Sequence, residues 1–289
     1  MKLDKIITGD SAVVLQSFPP DCIDLTVTSP PYDNLRTYNG FTFDFETIAK
    51  ELFRVTKAGG VVVWVVGDAT KDGSETGTSF RQALYFMQCG FNLHDTMIYE
   101  KNGPAHPDKT RYHQVFEYMF IFSKGSPKTI NLLSDRKNRW AGSKNFGTRS
   151  NRSAKGEITG STLANRTVKD FGVRFNIWKI NGGYGYSASD EYAYEHPAIF
   201  PESLANDHIL SWSNEGDVIL DPFCGSGTTP KTAKMLSRHY VGIEISPEYV
   251  TLAKKRLLAT SVPLFGQERG ITQRAADGGN VAAQKELFG

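Results

Sequence analysis

The chain has 289 residues, 39% of them hydrophobic, which suffices to bury the core of one large domain or two smaller ones. Its three cysteines, Cys22, Cys89 and Cys224, are neither even in number nor closely spaced, which argues against a disulfide framework or zinc site and favours a reducing compartment. No signal-like or membrane-spanning stretch is visible in the sequence, so we expect a cytoplasmic protein with no membrane partner and no structural metal.

The net charge of +2 hides a strong segregation of charge along the chain. Residues 124–180 contain 13 Lys and Arg residues against three acidic ones, so the remainder of the chain is acidic overall. A basic segment of this size indicates a surface that faces a polyanion, and a solvated or disordered insert is the alternative interpretation.

The first part of the chain alternates predicted strands and helices. Residues 5–8 and 23–28 are predicted to be short buried strands around a helix at about 11–18, because IDLTVT is continuously apolar and β-branched. The next predicted elements are a helix with Phe45, Ile48, Ala49 and Leu52, a strand at 61–66, a helix with Phe80, Ala83, Leu84 and Met87 that stops at Gly90, and strands at 94–99 and 117–122. The Met and aromatic residues of these elements are expected in the core. The pattern predicts an α/β fold with a doubly wound, mostly parallel sheet covered on both faces.

A segment of different amino-acid composition separates this part of the chain from the C-terminal part. Residues 124–195 are rich in Gly, Ser, Asn, Lys and Arg, have few periodic apolar positions, and are too numerous for an ordinary connection. Regular structure is predicted to resume near His196. The predicted elements are a strand at 217–221, a helix opened by Thr229 with Pro230 in its first position, a strand at 240–245, and a helix capped by Ser246 that carries Tyr249, Leu252, Ala253 and Leu257.

A glycine turn, DPFCGSGTT, joins the strand that ends at Asp221 to the following helix, and Glu244 ends the next strand. Small residues let a ligand approach the backbone, and an acid at the end of the second strand can accept hydrogen bonds from ribose hydroxyls. The turn departs from G-x-G-x-x-G at Pro230, and no Walker lysine follows it. A cofactor that contains a nucleoside, other than a dinucleotide, is therefore predicted.

Ser29-Pro30-Pro31-Tyr32 follows the buried strand at 23–28, at the end where open α/β sheets place their ligands. Prolines donate no backbone hydrogen bond, and taken alone the pair could simply end a strand. The combination with a tyrosine at this edge of the sheet makes it a candidate for a second part of the same site.

Together these features resemble the S-adenosylmethionine-dependent DNA amino-methyltransferases, which methylate the exocyclic amine of cytosine or adenine. The family's catalytic signature is Ser, Asp or Asn followed by Pro-Pro and Tyr or Phe, and its cofactor signature is Phe-x-Gly-x-Gly, which residues 223–227 match. The catalytic motif comes first and a basic stretch lies between the two, which is the order of the β class. The resemblance implies a Rossmann-like catalytic half at 1–123, a target-recognition region at 124–195, a cofactor-binding half at 196–260 and a C-terminal tail at 261–289.

The resemblance also implies roles for individual residues. Ser29 Oγ and the Pro30 carbonyl, held rigid by Pro31, would accept hydrogen bonds from the base amine and localise its lone pair, and Tyr32 would stack on a base rotated out of the duplex. The residues expected at S-adenosyl-L-methionine are Asp10 and Ser11 near the adenine, Glu244 at the ribose, Asp221 at the amino end, the group His196, Phe200, Pro201 and Glu202 over the methionine moiety, and Phe223, Gly225, Ser226, Gly227 and Thr228 in the turn. The residues expected to contact DNA are Arg36, Tyr38, Arg136, Lys137, Arg139, Lys144, Arg149 and Arg152.

Serine at position 29 favours N4 of cytosine as the methyl acceptor, and N6 of adenine is the alternative. More distant alternatives are an RNA amino-methyltransferase, against which the long basic insert argues, and a catalytically silent DNA-binding protein, against which the intact motifs argue. No cysteine follows a proline, which argues against the Pro-Cys nucleophile of cytosine C5-methylation. The expected partner is double-stranded DNA, and the sequence leaves open a homodimer and a cognate restriction endonuclease.

Overall fold

The computed structural model describes residues 1–31, 43–104, 109–144, 151–153, 155–159, 166–196 and 199–261. Four predicted site residues, Tyr32, Arg36, Tyr38 and Arg149, and the side chain of Arg152 lie outside the described residues. Two compact units are present: a larger one from the described parts of Met1–Asn131 and Ile177–Gly289, and a smaller one within Leu132–Asn176. Within the described ranges, every helix is too short or too polar to span a bilayer.

Eight strands form the sheet of the larger unit. They are β1 (Lys5–Thr8), β2 (Ile23–Thr28), β3 (Thr56–Val66), β4 (Asn92–Glu100), β5 (Phe116–Ser123), β6 (Ile177–Lys179), β7 (Val218–Asp221) and β8 (His239–Glu244). Their order across the sheet is β1-β8-β7-β2-β3-β5-β4-β6. Strand β5 is antiparallel to both of its neighbours and all other pairs are parallel, which confirms the predicted, mostly parallel sheet.

Helices cover both faces of this sheet, as predicted. They are α1 (Ser11–Val14), α2 (Phe45–Val55), α3 (Thr78–Gln88), α4 (Glu202–Trp212), α5 (Thr228–Met235) and α6 (Pro247–Ala259). Residues of α1, α2 and α3 pack on one face of the sheet with Val62, Trp64 and Val66 of β3. The alternate residues Val61, Val63 and Val65 are also buried, and α4 contacts both β2 and α5. Burial on both faces explains why β3 is almost continuously apolar.

The start of α5 differs from the prediction by one residue. The helix begins at Thr228 after Gly227, whose φ is +82°, so Pro230 occupies the third helical position and not the first. Proline is accommodated there because the N–H groups of the first helical turn have no partner within the helix. The cap of α6 is as predicted, with Ser246 Oγ accepting from the Tyr249 amide.

The predicted buried face of α3 is wrong at three of its four residues. Its apolar residues Phe80, Leu84 and Met87 are 50%, 60% and 45% exposed. Ala83 is buried as predicted, and the helix otherwise buries Ser79, Gln82 and Phe86. Trp64 Nε1 donates to Gln82 Oε1 at 2.9 Å and the Ser79 amide donates to Asp68 Oδ1 at 2.9 Å, so two polar residues with buried or half-buried partners set the rotation of the helix.

The smaller unit consists of short antiparallel pairings. Arg136–Lys137 pairs with Phe171–Gly172, and Asn151–Arg152 pairs with Ile158–Thr159. This unit lies inside the predicted recognition region, whereas Ile177–Lys179 adds β6 to the main sheet, parallel to β4. A three-residue strand is too short to produce a periodic signal in the sequence. The boundaries at 124 and 195 stay a prediction.

Candidate active site

The ends of β2 and β7 bring the two sequence motifs together. These strands are parallel neighbours, with Leu25 opposite Ile219 and Thr26 opposite Leu220, so the chain leaves both at the same edge of the sheet. Thr28 Oγ1, at the end of β2, donates a hydrogen bond of 2.7 Å to Asp221 Oδ1, at the end of β7. Ser29, Pro30 and Pro31 therefore follow directly from a residue that contacts the start of the glycine turn.

Glu244 holds the glycine turn from the neighbouring strand β8. Its Oε2 accepts from the Gly225 amide and its Oε1 from the Ser246 amide, each at 2.9 Å. The Cys224 amide donates to the Ile243 carbonyl at 3.0 Å. Each carboxylate oxygen has more than one acceptor position, so Glu244 can organise the turn and still accept hydrogen bonds from a ligand hydroxyl.

The turn requires glycine at two positions. Gly225 has a φ of +47°, and a Cβ there would lie 2.9 Å from His196 Nε2. Gly227 has a φ of +82°, and a Cβ would lie 2.8 Å from Ala253 Cβ. The His196 ring is fixed in turn by Tyr249, with ring centroids 4.4 Å apart. The predicted cofactor residue His196 thus lies directly against the turn.

Asp10 and Ser11 reach the same edge because β1 is the parallel neighbour of β8. The Gly9 amide donates to the Glu244 carbonyl at 3.0 Å, and Ser11 Oγ donates to the Pro222 carbonyl. Asp10 caps α1 by accepting from the Ala12 amide at 2.8 Å. Ser11 is buried and supports the backbone of the turn, while the half-buried Asp10 lies beside it.

Burial changes the acid–base behaviour of this edge. It raises the pKa of Asp221 to about 6, and the Glu244 charge adds to the rise, although hydrogen bonds from Thr28 and the Phe223 amide oppose it. Burial also raises the pKa of Glu244, opposed by the amides of Ser246 and Gly225. The pKa of the Cys224 thiol is raised well above its ordinary value by burial, so this cysteine is not a nucleophile. Two adjacent carboxylates that lack full neutralisation suit a cationic ligand.

Four charged side chains form a cluster behind the turn, which we call the charge cluster: the half-buried Asp190 and Glu202 and the buried Lys231 and Arg256. Lys231 Nζ lies 2.8 Å from Asp190 Oδ2 and 2.7 Å from Glu202 Oε1. Arg256 Nε lies 2.8 Å from the same Asp190 oxygen, and its Nη2 lies 2.7 Å from Glu202 Oε1. Burial opposes ionisation of Asp190, but hydrogen bonds from the two cations outweigh it and hold the pKa below the ordinary value.

Glu202 is the one member of this cluster that the sequence motifs predict as a site residue. Both of its carboxylate oxygens have partners in the protein, since Oε2 accepts from Ser189 Oγ at 3.1 Å. Glu202 therefore supports the site from behind. Arg256 could have been recognised from the sequence, because it falls on the predicted apolar face of α6 together with Leu252 and Ala253, where an unpaired charge is costly.

The other predicted cofactor residues belong to the turn itself or to the start of α4. The Phe223 ring packs against Phe43 and Trp64, with centroid distances of 5.5 and 6.1 Å, so one of its sides belongs to the core. Phe200 is half-buried and Pro201 is buried at the start of α4. Ser226 and Thr228 are buried. Within the described residues, no group of three or more His, Cys, Asp or Glu side chains is arranged to hold a metal ion.

The predicted DNA-contact residues that are described lie in the smaller unit. Arg136 Nε donates to the Val173 carbonyl at 3.0 Å, and its guanidinium lies over the Phe175 ring, 4.3 Å from the centroid. Arg139 lies over the Trp140 ring at 5.3 Å. Phe175 and Trp140 are 65% and 66% exposed. Lys137, next to Arg136, is exposed. Lys144 pairs with Thr167 in an isolated antiparallel β-bridge, and Arg152 lies on a two-residue strand.

Comparison with known proteins identifies the family. The family model described as DNA methylase matches residues 23–255, well over half of the chain. The chain belongs to the DNA methylase family. This confirms the amino-methyltransferase family that the two motifs predicted, and both the catalytic motif and the cofactor motif lie inside the matched range.

Relatives of this DNA methylase span most of its length. It is 64% identical to the orphan methyltransferase M.BamHII of Bacillus amyloliquefaciens over 238 residues, which cover 82% of this chain and 89% of the relative. It is 26% identical to the Type II methyltransferase M.SmaI of Serratia marcescens, covering 88% of this chain and 90% of the relative.

Solved structures share the fold of the methylase. TTHA0409 of Thermus thermophilus, complexed with S-adenosyl-L-methionine, superposes with a TM-score of 0.59 at 26% identity, covering 90% of this chain and 95% of that one. The cytosine-N4-specific PvuII DNA methyltransferase gives a TM-score of 0.64 at 21% identity, covering 94% and 89%. Both likenesses support the Rossmann-like fold.

Proposed function

We propose that this DNA methylase is a site-specific enzyme that transfers a methyl group to the exocyclic amine of a base rotated out of duplex DNA, with N4 of cytosine as the acceptor. The observation that carries the proposal is the hydrogen bond between Thr28 and Asp221, which supports it because the proposed catalytic motif follows the first residue and the proposed cofactor turn follows the second. Methyl transfer requires the acceptor and the donor side by side, and proximity of this kind supplies much of a catalyst's effect.

S-adenosyl-L-methionine is the cofactor, as the family implies, and the residues of the turn fit it. The glycines leave room for a ligand against the backbone, Glu244 can accept from ribose hydroxyls, and the incompletely neutralised Asp221 suits a cationic amino group. When bound, the cofactor supplies an electrophilic methyl group. The acid Asp10, beside the turn, is assigned to the adenine amine in this proposal.

The catalytic residues would act on the base amine. Its lone pair is delocalised into the ring, so acceptors that bind its N–H groups are needed to localise the pair on nitrogen. Ser29 Oγ and the Pro30 carbonyl would supply them, and Pro30 and Pro31 fix the carbonyl because their φ angles are locked. Tyr32 would offer a face for stacking on the rotated base, at roughly 1–3 kcal/mol per base.

DNA contact is assigned to the smaller unit. Its basic side chains would neutralise phosphates, which makes binding steeply dependent on salt. Arg136 supports a more specific role, because the Val173 carbonyl and the Phe175 ring hold its guanidinium in place. A fixed guanidinium is the group that contacts guanine O6 and N7 in a major groove. Duplex DNA is therefore the proposed partner.

The base assignment rests on Ser29, and N6 of adenine is the second candidate. The test is incubation of the purified chain with genomic DNA and methyl-labelled S-adenosyl-L-methionine, followed by mass spectrometry of the nucleosides. We expect label in N4-methylcytosine. Label in N6-methyladenine would reject the choice of base and keep the reaction, whereas DNA binding without label on any base would support the catalytically silent alternative.

Cofactor affinity is expected to depend on pH through Asp221. Its pKa in the folded protein is about 6, so the carboxyl is neutral below that pH and charged above it. A cationic amino group is attracted only by the charged form, so the Kd should be about tenfold higher at pH 5 than at pH 7. Titration calorimetry across this range measures the effect. Asp221→Asn is the control, because its Kd should be higher than that of the wild type and nearly independent of pH over the same range. A wild-type Kd that does not change with pH would contradict the assignment.

A further inference from the structure

Arg256 connects the glycine turn to the charge cluster. The side chain is fully buried, and its Nη1 lies 2.8 Å from the Ser226 carbonyl, 3.0 Å from Ser226 Oγ and 3.2 Å from Thr228 Oγ1. Its Nε and Nη2 donate to Asp190 and Glu202. One planar guanidinium thus binds the turn on one side and two carboxylates on the other, a geometry that the ammonium group of lysine cannot reproduce.

The turn has a particular need for such an anchor. Ser226 lies between Gly225 and Gly227, both with positive φ, and glycines give a backbone more conformational freedom than any other residue. A flexible turn would have to be ordered when a ligand binds, at a cost in affinity. Arg256 removes this freedom beforehand by binding the carbonyl of the residue between the two glycines.

We infer that Arg256 is a positioning residue for the cofactor, which presets the backbone of the glycine turn for S-adenosyl-L-methionine. The inference rests on the proposed function, since that proposal assigns the turn to this cofactor. Asp190 and Glu202 contribute by holding the guanidinium in place: Asp190 precedes the short 3-10 helix Glu191–Glu195 and Glu202 begins α4, so the turn is tied to both segments.

Lys231 is a matched control within the same cluster. It is 5% exposed and pairs with the same two carboxylates as Arg256. The hydrogen bonds of its Nζ go to Asp190, Glu202 and Ser189 Oγ, whereas those of Arg256 also reach Ser226 and Thr228. Replacing either cation leaves the cluster unbalanced and lowers stability. Only replacement of Arg256 also removes the contacts to the turn.

The experiment compares wild type, Arg256→Lys, Arg256→Gln and Lys231→Gln. Thermal melts and circular dichroism establish the folded fraction, calorimetry gives the Kd for S-adenosyl-L-methionine, and steady-state kinetics with DNA gives kcat and the cofactor KM. We expect lower melting temperatures in all three variants. Arg256→Lys should raise the cofactor Kd and KM at least about tenfold with kcat at saturating cofactor within about threefold of wild type, while Lys231→Gln should change Kd by less than about threefold.

If Arg256→Gln does not fold, Arg256→Lys still tests the inference, because it keeps the buried positive charge. A folded Arg256→Lys variant with wild-type Kd and KM would overturn the inference, as would an equal loss of affinity in Lys231→Gln. A wild-type protein that does not bind S-adenosyl-L-methionine would overturn the proposed function itself. If the wild type binds S-adenosyl-L-methionine and Arg256→Lys binds it equally well, only the role of Arg256 is overturned.

Discussion

Replacing Gly225 with alanine is expected to remove most cofactor binding while the protein still folds. The new Cβ would lie 2.9 Å from His196 Nε2, in a buried position where the packing of the His196 ring against Tyr249 restricts its movement. The turn would have to shift away from the position that fits the cofactor, so affinity should fall, and a misplacement of about 1 Å of the bound methyl donor can itself lower the reaction rate about 100-fold. Calorimetry with S-adenosyl-L-methionine measures the loss directly.

Gly216→Ala is the matched control for this prediction. Gly216 also has a positive φ, +80°, but a Cβ there meets nothing within 4 Å. Both variants suffer the strain of a left-handed residue, about 1–2 kcal/mol, so both should melt at a lower temperature. Only Gly225→Ala should bind the cofactor more weakly. Equal cofactor affinities in the two variants would show that the close approach of His196 to the turn does not matter for binding.

Replacing Ser29 with alanine is expected to slow methyl transfer without weakening cofactor binding. In the proposed mechanism Ser29 Oγ is one of two acceptors for the base amine, and loss of one preorganised hydrogen-bonding group typically lowers kcat by about 100-fold. The cofactor turn belongs to a different strand, so the Kd for S-adenosyl-L-methionine should stay within about threefold of wild type. Single-turnover kinetics on duplex DNA measures the chemical step.

Ser17→Ala provides the control for the loss of a serine hydroxyl. Ser17 Oγ donates to the Val14 carbonyl at 2.7 Å on an exposed turn of the same unit. This variant should methylate DNA at the wild-type rate. If Ser29→Ala also did so, Ser29 would have no part in activating the amine, and its identity would carry no information about the target base.

The sheet and both motifs could be predicted from the sequence because their signals are local. Strands buried on both faces appear as continuous apolar runs, so β2 was predicted to the residue. The bounds of β1 were also predicted, but its predicted burial is wrong, because it is an edge strand with Lys5 and Thr8 exposed. The rotation of α3 could not be predicted, because it depends on Gln82 and Ser79, whose partners Trp64 and Asp68 lie outside the helix, 18 and 11 positions away. Periodicity alone assigned the exposed apolar side of this helix to the core.

The support behind the cofactor turn was missed for the same physical reason. Lys231 and Arg256 interact with Asp190, which lies in a stretch of the sequence without periodic apolar residues. Ion pairs between residues 41 and 66 positions apart leave no pattern in a single sequence. Only the position of Arg256 on an otherwise apolar helix face gave a sign that a buried partner was needed.

The hydrogen bond from Thr28 to Asp221 joins residues that are 193 positions apart. During synthesis on the ribosome, the catalytic motif emerges early, but the strand that must lie beside it comes near the end of the chain. Neither β7 nor β8 can enter the sheet until this late part has left the exit tunnel, so β2 has no partner on one side until then. A nascent or prematurely terminated chain therefore carries the Ser29-Pro30-Pro31-Tyr32 motif without the strand that lies beside it in the folded sheet.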